Sequence, residues 1–397
     1  MSPRMHSFFF YIATAVLVIM TIIFLRNNIL PIQSLSETLS AVNKIEQVAA
    51  VAANPTSTTQ KISSPVSTSA PQIKTAKKAI FLDKKTPSAK TQTTSSSTLD
   101  QAAKTQDPYP FPPLSFSTIN DNARNALINI LCAPRDGSLR PISASGVIID
   151  PRGIILTNAH VGQYVLLSQS PEIDLSCVAR TGSPASAKFN LETLYIPPVW
   201  VYEHVSEIDS QHALGTGEHD YALLRITSAF DGSPIQTTLP YLPVDTREAI
   251  AFTGDEVLAA SYPAEFLSGT AAQSNLYAVS SVTTVKQLLT FAANTVDLIS
   301  LGGILEAQSG SSGGPVVNAW NHLVGIIVTT SEAATTGQRD LRALTLRYID
   351  RDMADQSGSS LQTILAGDPQ AEAARFNANT APLLIKKYIE VLAPNHN

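Results

Sequence analysis

Cysteine is scarce: the chain has two, Cys132 and Cys177. That is too few for a disulfide scaffold and leaves one bridge at most. Positive charge is also short, with 27 Lys and Arg against 32 Asp and Glu and a net charge of −5. No segment is basic enough to make nucleic acid a main partner. Metal-ligand spacing and a phosphate-cradling glycine loop are both missing, so no metal or other cofactor is expected. With 397 residues, 44% of them hydrophobic, the chain is long enough for one large domain or two small ones.

One stretch lacks charge altogether. SFFFYIATAVLVIMTIIFL, residues 7–25, lies between Arg4 and Arg26. As a helix it spans roughly 28 Å, close to the hydrocarbon thickness of a bilayer. A cleaved signal peptide and a buried soluble helix are the alternatives. The Leu25-Arg26-Asn27-Asn28 sequence that follows is a poor cleavage site. An uncleaved anchor within residues 1–30 is therefore expected, touching the lipid bilayer through 7–25. The Lys/Arg asymmetry around it is too small to set its orientation.

Residues 31–115 read as a short helix followed by a tether. Ser34 and Glu37 have capping-box spacing, and Leu35, Leu39, Val42 and Ile45 recur at helical intervals. From Asn54 to Asp107 the composition is Ser, Thr, Pro, Lys, Gln and Ala, too poor in large apolar side chains to offset chain entropy. As a flexible coil, the roughly 85 residues between membrane and domain would reach about 50 Å r.m.s.. Pro108–Pro113 then stiffens the entry to the folded part. Between 116 and 350, short runs rich in Val, Ile, Thr and Tyr alternate with turn residues: ALINILC, SGVIID, GIILTNAHV, YVLLS, DYALLRI, YAVSSVTTV and LVGIIVTT. That texture predicts an all-β domain of sandwich or barrel type. The tail, 351–397, reads as helix, with an amphipathic stretch at 381–392.

Three stretches carry the chemistry. TNAHV holds His160, DYALLRI opens with Asp220, and SGSSGGPVVN spans 309–318. Singly, each is ordinary: a loop histidine, a strand-entry carboxylate, a Gly-Ser loop. Together they supply what an activated serine needs. A hydroxyl is a weak nucleophile until a base takes its proton. Imidazole suits that task near neutral pH. A carboxylate on its other nitrogen fixes the tautomer, and glycines let backbone N–H groups face a developing oxyanion. His219 adjoins Asp220 and competes with His160 for the base, but a chain neighbour in an extended segment points the other way.

TNAHV, DYALLRI and GSSGGPVVN resemble the three signatures of trypsin-like (chymotrypsin-fold) serine proteases, and SGVIIDPRGIILTNAHV is most similar to the HtrA/DegP and V8-like bacterial branch. The resemblance covers about 120–350 and implies two six-stranded antiparallel β-barrels with the site between them. It implies His160 as general base, Asp220 as its orienter and Ser312 as nucleophile, since the serine directly before Gly313 fits the family pattern where Ser309 and Ser311 do not. The backbone amides of Gly310 and Ser312 would form the oxyanion hole. Ser311 stands where digestive members carry the Asp used in zymogen activation, so that device is not expected. The 47 residues after Asp350 are too few for the PDZ domain usual in HtrA proteins. The segment also satisfies G-x-S-x-G, the α/β-hydrolase elbow, but a strand pattern follows and no Asp-then-His order lies downstream.

Glu306, six residues before Ser312, falls at the base of the S1 pocket by the same resemblance. It either selects Lys or Arg or points to solvent beside a pocket lined by Ile327, Val328 and Thr329; the HtrA-like texture favours the second. Cys132 and Cys177 lie in expected strands of the first barrel, as a bridge or as two free thiols. The expected protein is a membrane-tethered serine endopeptidase of the extracytoplasmic face, acting on exposed or damaged polypeptides. A protease-fold scaffold with an idle site is the competing class. A homo-oligomer stays open.

Overall fold

Our computed structural model describes residues 97–98 and 108–393, apart from 136–138, 209–215, 249, 292–294, 332 and 334. The expected anchor at 7–25, the helix near 35–53 and most of the tether lie outside the described residues. Among the described residues, no helix is long and apolar enough to cross a membrane.

Among the described residues, fourteen strands form two sheets. The first comprises β2 (Leu127–Pro134), β3 (Ile142–Asp150), β4 (Ile154–Thr157), β5 (Leu175–Thr181), β6 (Ser186–Tyr195) and β7 (Ala222–Ala229). These close into a barrel in the order β2-β3-β4-β7-β6-β5, antiparallel throughout. Its core strands are rich in Ile, Val and Leu because both closure and packing favour β-branched side chains on a pleated surface. Ile128, Ile130, Val147, Ile155, Leu156, Leu223 and Leu224 are all fully buried.

The second sheet comprises β1 (Ser97–Thr98), β8 (Glu256–Ser261), β9 (Val279–Thr284), β10 (Gln287–Thr290), β11 (Leu298–Gly302), β12 (Pro315–Asn318), β13 (Leu323–Thr330) and β14 (Leu341–Thr345). Its order is β1-β10-β11-β14-β13-β12-β8-β9. The sequence reading expects a second closed six-stranded barrel, and here the structure differs. The sheet does not close by hydrogen bonds. Yet β9 at one end passes to β10 near the other through Val285 and Lys286 alone, so the sheet must curl until its ends meet. Val285 N–H bonds to Asp255 O (3.0 Å) and Lys286 N–H to Ser300 O (2.7 Å), tying that bend to both flanks. Two residues of the expected tether, Ser97 and Thr98, add an edge strand against Leu289 and Thr290.

Three further departures have local causes. Phe116–Ala126 is a helix, α1, where the sequence reading begins its strands; Ser115 caps it, and Ile119, Ala123 and Ala126 bury one face. Ala159–Leu167 is also a helix, α2, although HV and YVLL read as strand. It is apolar on nearly every side, so its pattern has no period that separates helix from buried strand. Between strands of the barrel lies α3 (Pro198–His204), and between β8 and β9 of the second sheet lies α4 (Gly269–Ser274). Among the described residues the tail is four helices rather than one: α5 (Leu346–Ser357), α6 (Leu361–Ala366), α7 (Pro369–Asn379) and α8 (Ala381–Leu392). Gly358, at φ 75°, ends the first, and Pro369 opens the third. The segment before α1 straps onto the second sheet: Tyr109 stacks on His322 with ring centroids 4.4 Å apart, and Trp320 Nε1–H donates to Phe111 O (2.9 Å).

Cys132 and Cys177 face each other across β2 and β5 and are disulfide-bonded. With a sequence separation of 45, chain-entropy reasoning assigns the bridge about 3–4 kcal/mol. Replacing both cysteines with serine should lower the urea midpoint of unfolding by a corresponding amount. An unchanged midpoint would show that the paired strands hold the barrel without the bridge.

Candidate active site

His160 sits in the first turn of α2, directly after β4. Its position depends on how closely α2 approaches β7. Gly162 makes that approach possible, because a Cβ there would lie 2.5 Å from the Ala222 Cβ. Asn158, at the cap of α2, donates from Nδ2 to Asp220 O (2.9 Å) and joins the helix to the start of β7. Asp220, 6% exposed, then meets His160 twice. Its Oδ1 accepts the His160 backbone N–H (2.9 Å), and its Oδ2 lies 2.8 Å from Nδ1. A carboxylate accepts only, so Nδ1 carries the proton and Nε2 keeps its lone pair. Burial opposes a charged imidazole, but the Asp220 charge and hydrogen bond outweigh it and hold His160 above its ordinary pKa.

Behind His160 runs a second chain of contacts. Gln163 Nε2–H donates to His160 O (2.9 Å), and Tyr388 OH on α8 donates to Gln163 Oε1 (2.9 Å). The last helix thus reaches the histidine through two hydrogen bonds.

Ser312 lies in the loop from β11 to β12. Gly313 beside it, at φ 83°, touches the end of β4: a Cβ there would fall 2.2 Å from Ser145 O and 2.4 Å from Thr157 Oγ1. Any side chain would push the serine loop off the strand that leads to His160. Ser311 is buried, with its hydroxyl 2.9 Å from that of Ser261. Among the described residues, no hydrogen bond joins the Ser312 hydroxyl to His160. Contacts of this kind are often long until substrate fills the cleft.

Peptide planes decide where the loop's amides point. Ser309 O accepts from Ala264 N–H (2.8 Å), so the trans peptide turns Gly310 N–H the opposite way. Ser311 O accepts from Gly314 N–H (2.9 Å), with the same effect on Ser312 N–H. Among the described residues, neither N–H donates to a protein acceptor. Gly310, at φ 96°, has no room for a side chain, since a Cβ would meet Tyr262 O at 2.7 Å.

Sequence reasoning misses the residues that hold this loop. Ser145 on β3 is fully buried. Its Oγ–H donates to Gly310 O (2.8 Å) while accepting Tyr262 N–H (2.9 Å), and its N–H donates to Ser312 O (2.8 Å). Arg339 forms a two-pronged pair with Glu265 (2.6 and 2.7 Å) and donates to Ala307 O (2.7 Å), while Glu265 accepts Ser309 N–H (3.1 Å). No short motif marks either group; only the fold brings them to the loop.

Glu306 does not reach solvent. It is fully buried, neither carboxylate oxygen makes a hydrogen bond of good geometry, and burial pushes its pKa up against the weaker pull of the Ser281 hydroxyl on β9. Arg124 is near enough to act on it, but its guanidinium bonds to Ser280 Oγ and Ala278 O. Ile327 and Val328 are buried on β13. Ile327 exchanges backbone bonds with Gly313 and Gly314, and Thr329 pairs with Arg342. Among the described residues, no three His, Cys, Asp or Glu side chains gather as a metal site would require.

Residues 144–326 match the trypsin-like peptidase domain family. Similar solved structures include an HtrA-type protease, AlgW, with a tripeptide, at 17% identity, covering 62% of this chain and 65% of that one, with a TM-score of 0.39. Another is a serine endoprotease from Yersinia pestis, at 19% identity, covering 63% and 70%, with a TM-score of 0.37. This chain thus spans just under two thirds of the first. None of the curated proteins matches it. What the comparisons identify is thus a trypsin-like peptidase domain at residues 144–326, just under half of the chain.

Proposed function

We propose that the protein hydrolyses peptide bonds in exposed or damaged polypeptides through His160, Asp220 and Ser312. The observation that carries this is the double contact between Asp220 and His160, which leaves Nε2 able to accept a proton. In this reading Ser312 Oγ attacks the scissile carbonyl carbon as its proton passes to His160 Nε2. Gly310 and Ser312 N–H groups receive the negative oxygen. Collapse of the tetrahedral species breaks the C–N bond, and His160 returns the proton to the leaving amine. Water then attacks the acyl-enzyme with the same base, releasing the acid and restoring Ser312. The HtrA-like branch, tethering through residues 7–25 and an extracytoplasmic location belong to this proposal. The disulfide fits an oxidising compartment.

Buried, with Arg124 bonded elsewhere, Glu306 lacks the directly paired cation that a charged carboxylate needs in a low-dielectric pocket. A Lys or Arg side chain at P1 would supply it. Profiling a peptide library with the full-length protein in detergent tests both points. Cleavage after Lys or Arg, lost in Glu306→Gln, is expected. Preference for small apolar P1 residues in both proteins would return the pocket to Ile327, Val328 and Thr329. Absence of any cleavage would count against the peptidase itself.

A further inference from the structure

A second His–carboxylate contact stands directly behind the first. Asp352 on α5 is 7% exposed, and its Oδ2 takes two partners: Tyr221 OH donates to it (2.9 Å), and His219 Nδ1 lies 2.9 Å away. Tyr348, one turn earlier on α5, accepts the His219 backbone N–H at its hydroxyl (2.9 Å). These are the two chain neighbours of Asp220. His219 holds a φ of 57°, a conformation disfavoured for a residue with a side chain. Asp220, between them, turns its carboxylate to His160.

We propose that Asp352 is a positioning residue, gripping His219 and Tyr221 so that the Asp220 carboxylate is held against His160. Rotation about either neighbour would swing Asp220 away from the imidazole. A grip on both sides, converging on one oxygen, blocks that rotation. The tail helix α5 is then part of the catalytic apparatus without touching substrate. Around His219 stand Asp352 and Tyr348 from α5, Glu218 beside it in the chain and Glu203 on α3. Burial opposes charge on His219, but Asp352 and the two glutamates outweigh it and raise its pKa. His160 feels Asp220 as its charged neighbour. Looser placement of Asp220 therefore lowers the pH at which His160 titrates.

The catalytic part of this inference rests on the serine-peptidase reading, so the test has one arm that needs no turnover. Full-length protein in detergent is compared with Asp352→Ala, Asp352→Asn and, as a control on the exposed face of α5, Asp355→Asn. The His160 imidazole is titrated by NMR, and kcat and KM are measured per active site. Asp352→Ala should titrate His160 at lower pH and reduce kcat by roughly 10–100-fold, with KM near its original value. Asp352→Asn keeps one acceptor oxygen and should restore part of both. Asp355→Asn should change neither. An unmoved His160 titration with unchanged kcat in folded Asp352→Ala overturns the inference. So does a loss fully explained by a smaller folded fraction, with each remaining active site unaltered. An inactive original protein whose His160 still shifts on Asp352→Ala would remove the peptidase reading and leave the positioning role.

Discussion

Ser312→Ala should abolish labelling by a fluorophosphonate probe and reduce turnover by about a million-fold, the scale seen when an activated serine is removed from such a site. The neighbouring serines make the comparison sharp. Ser311 presents its hydroxyl to Ser261 inside the protein, away from solvent. Ser311→Ala should therefore lower stability by about 1 kcal/mol and leave labelling intact. Ser309 contributes its backbone N–H to Glu265 and its carbonyl to Ala264, contacts that survive Ser309→Ala. Labelling that persists in Ser312→Ala and disappears in Ser311→Ala would move the nucleophile one residue upstream.

Asp220→Asn should keep the fold and reduce kcat by about ten-thousand-fold. The amide can still accept the His160 backbone N–H through its oxygen, but it then presents NH2 to Nδ1. The imidazole must answer with an acceptor there, which moves its proton to Nε2 and removes the base. The pH dependence has a definite sign. In the unaltered protein Asp220 holds His160 above its ordinary pKa, so the acidic limb of kcat/KM lies correspondingly high. Without that charge, burial alone acts, and burial lowers the pKa of a histidine. The residual activity of Asp220→Asn should therefore extend to lower pH than the original. A limb that moves upward, or turnover near the original level, would take Asp220 out of the proposed role.

The candidate site is legible where chemistry is packed into consecutive residues. TNAHV, DYALLRI and GSSGGPVVN each place one reactive group beside the small residues that let it be approached. The strands of the first barrel are legible for a related reason, as runs of β-branched residues between turns. Glu306 shows the limit. Its type and spacing say nothing about exposure, which depends on α1 and β9 folding over it. Ser145, Arg339 and Asp352 are single polar residues in unremarkable surroundings, and their significance exists only after distant segments meet. Helix α2 escapes the sequence reading because an element buried on all sides loses the periodicity that identifies it. The curl of the second sheet depends on the Val285–Lys286 bend, which no residue type announces.

Tyr388 follows His160 by 228 residues in the chain, yet its hydroxyl backs Gln163, which in turn holds the backbone at His160. A nascent chain therefore carries its histidine, carboxylate and serine long before the last brace arrives. The order of synthesis thus places the three candidate reactive groups ahead of the helix that steadies the backbone at His160.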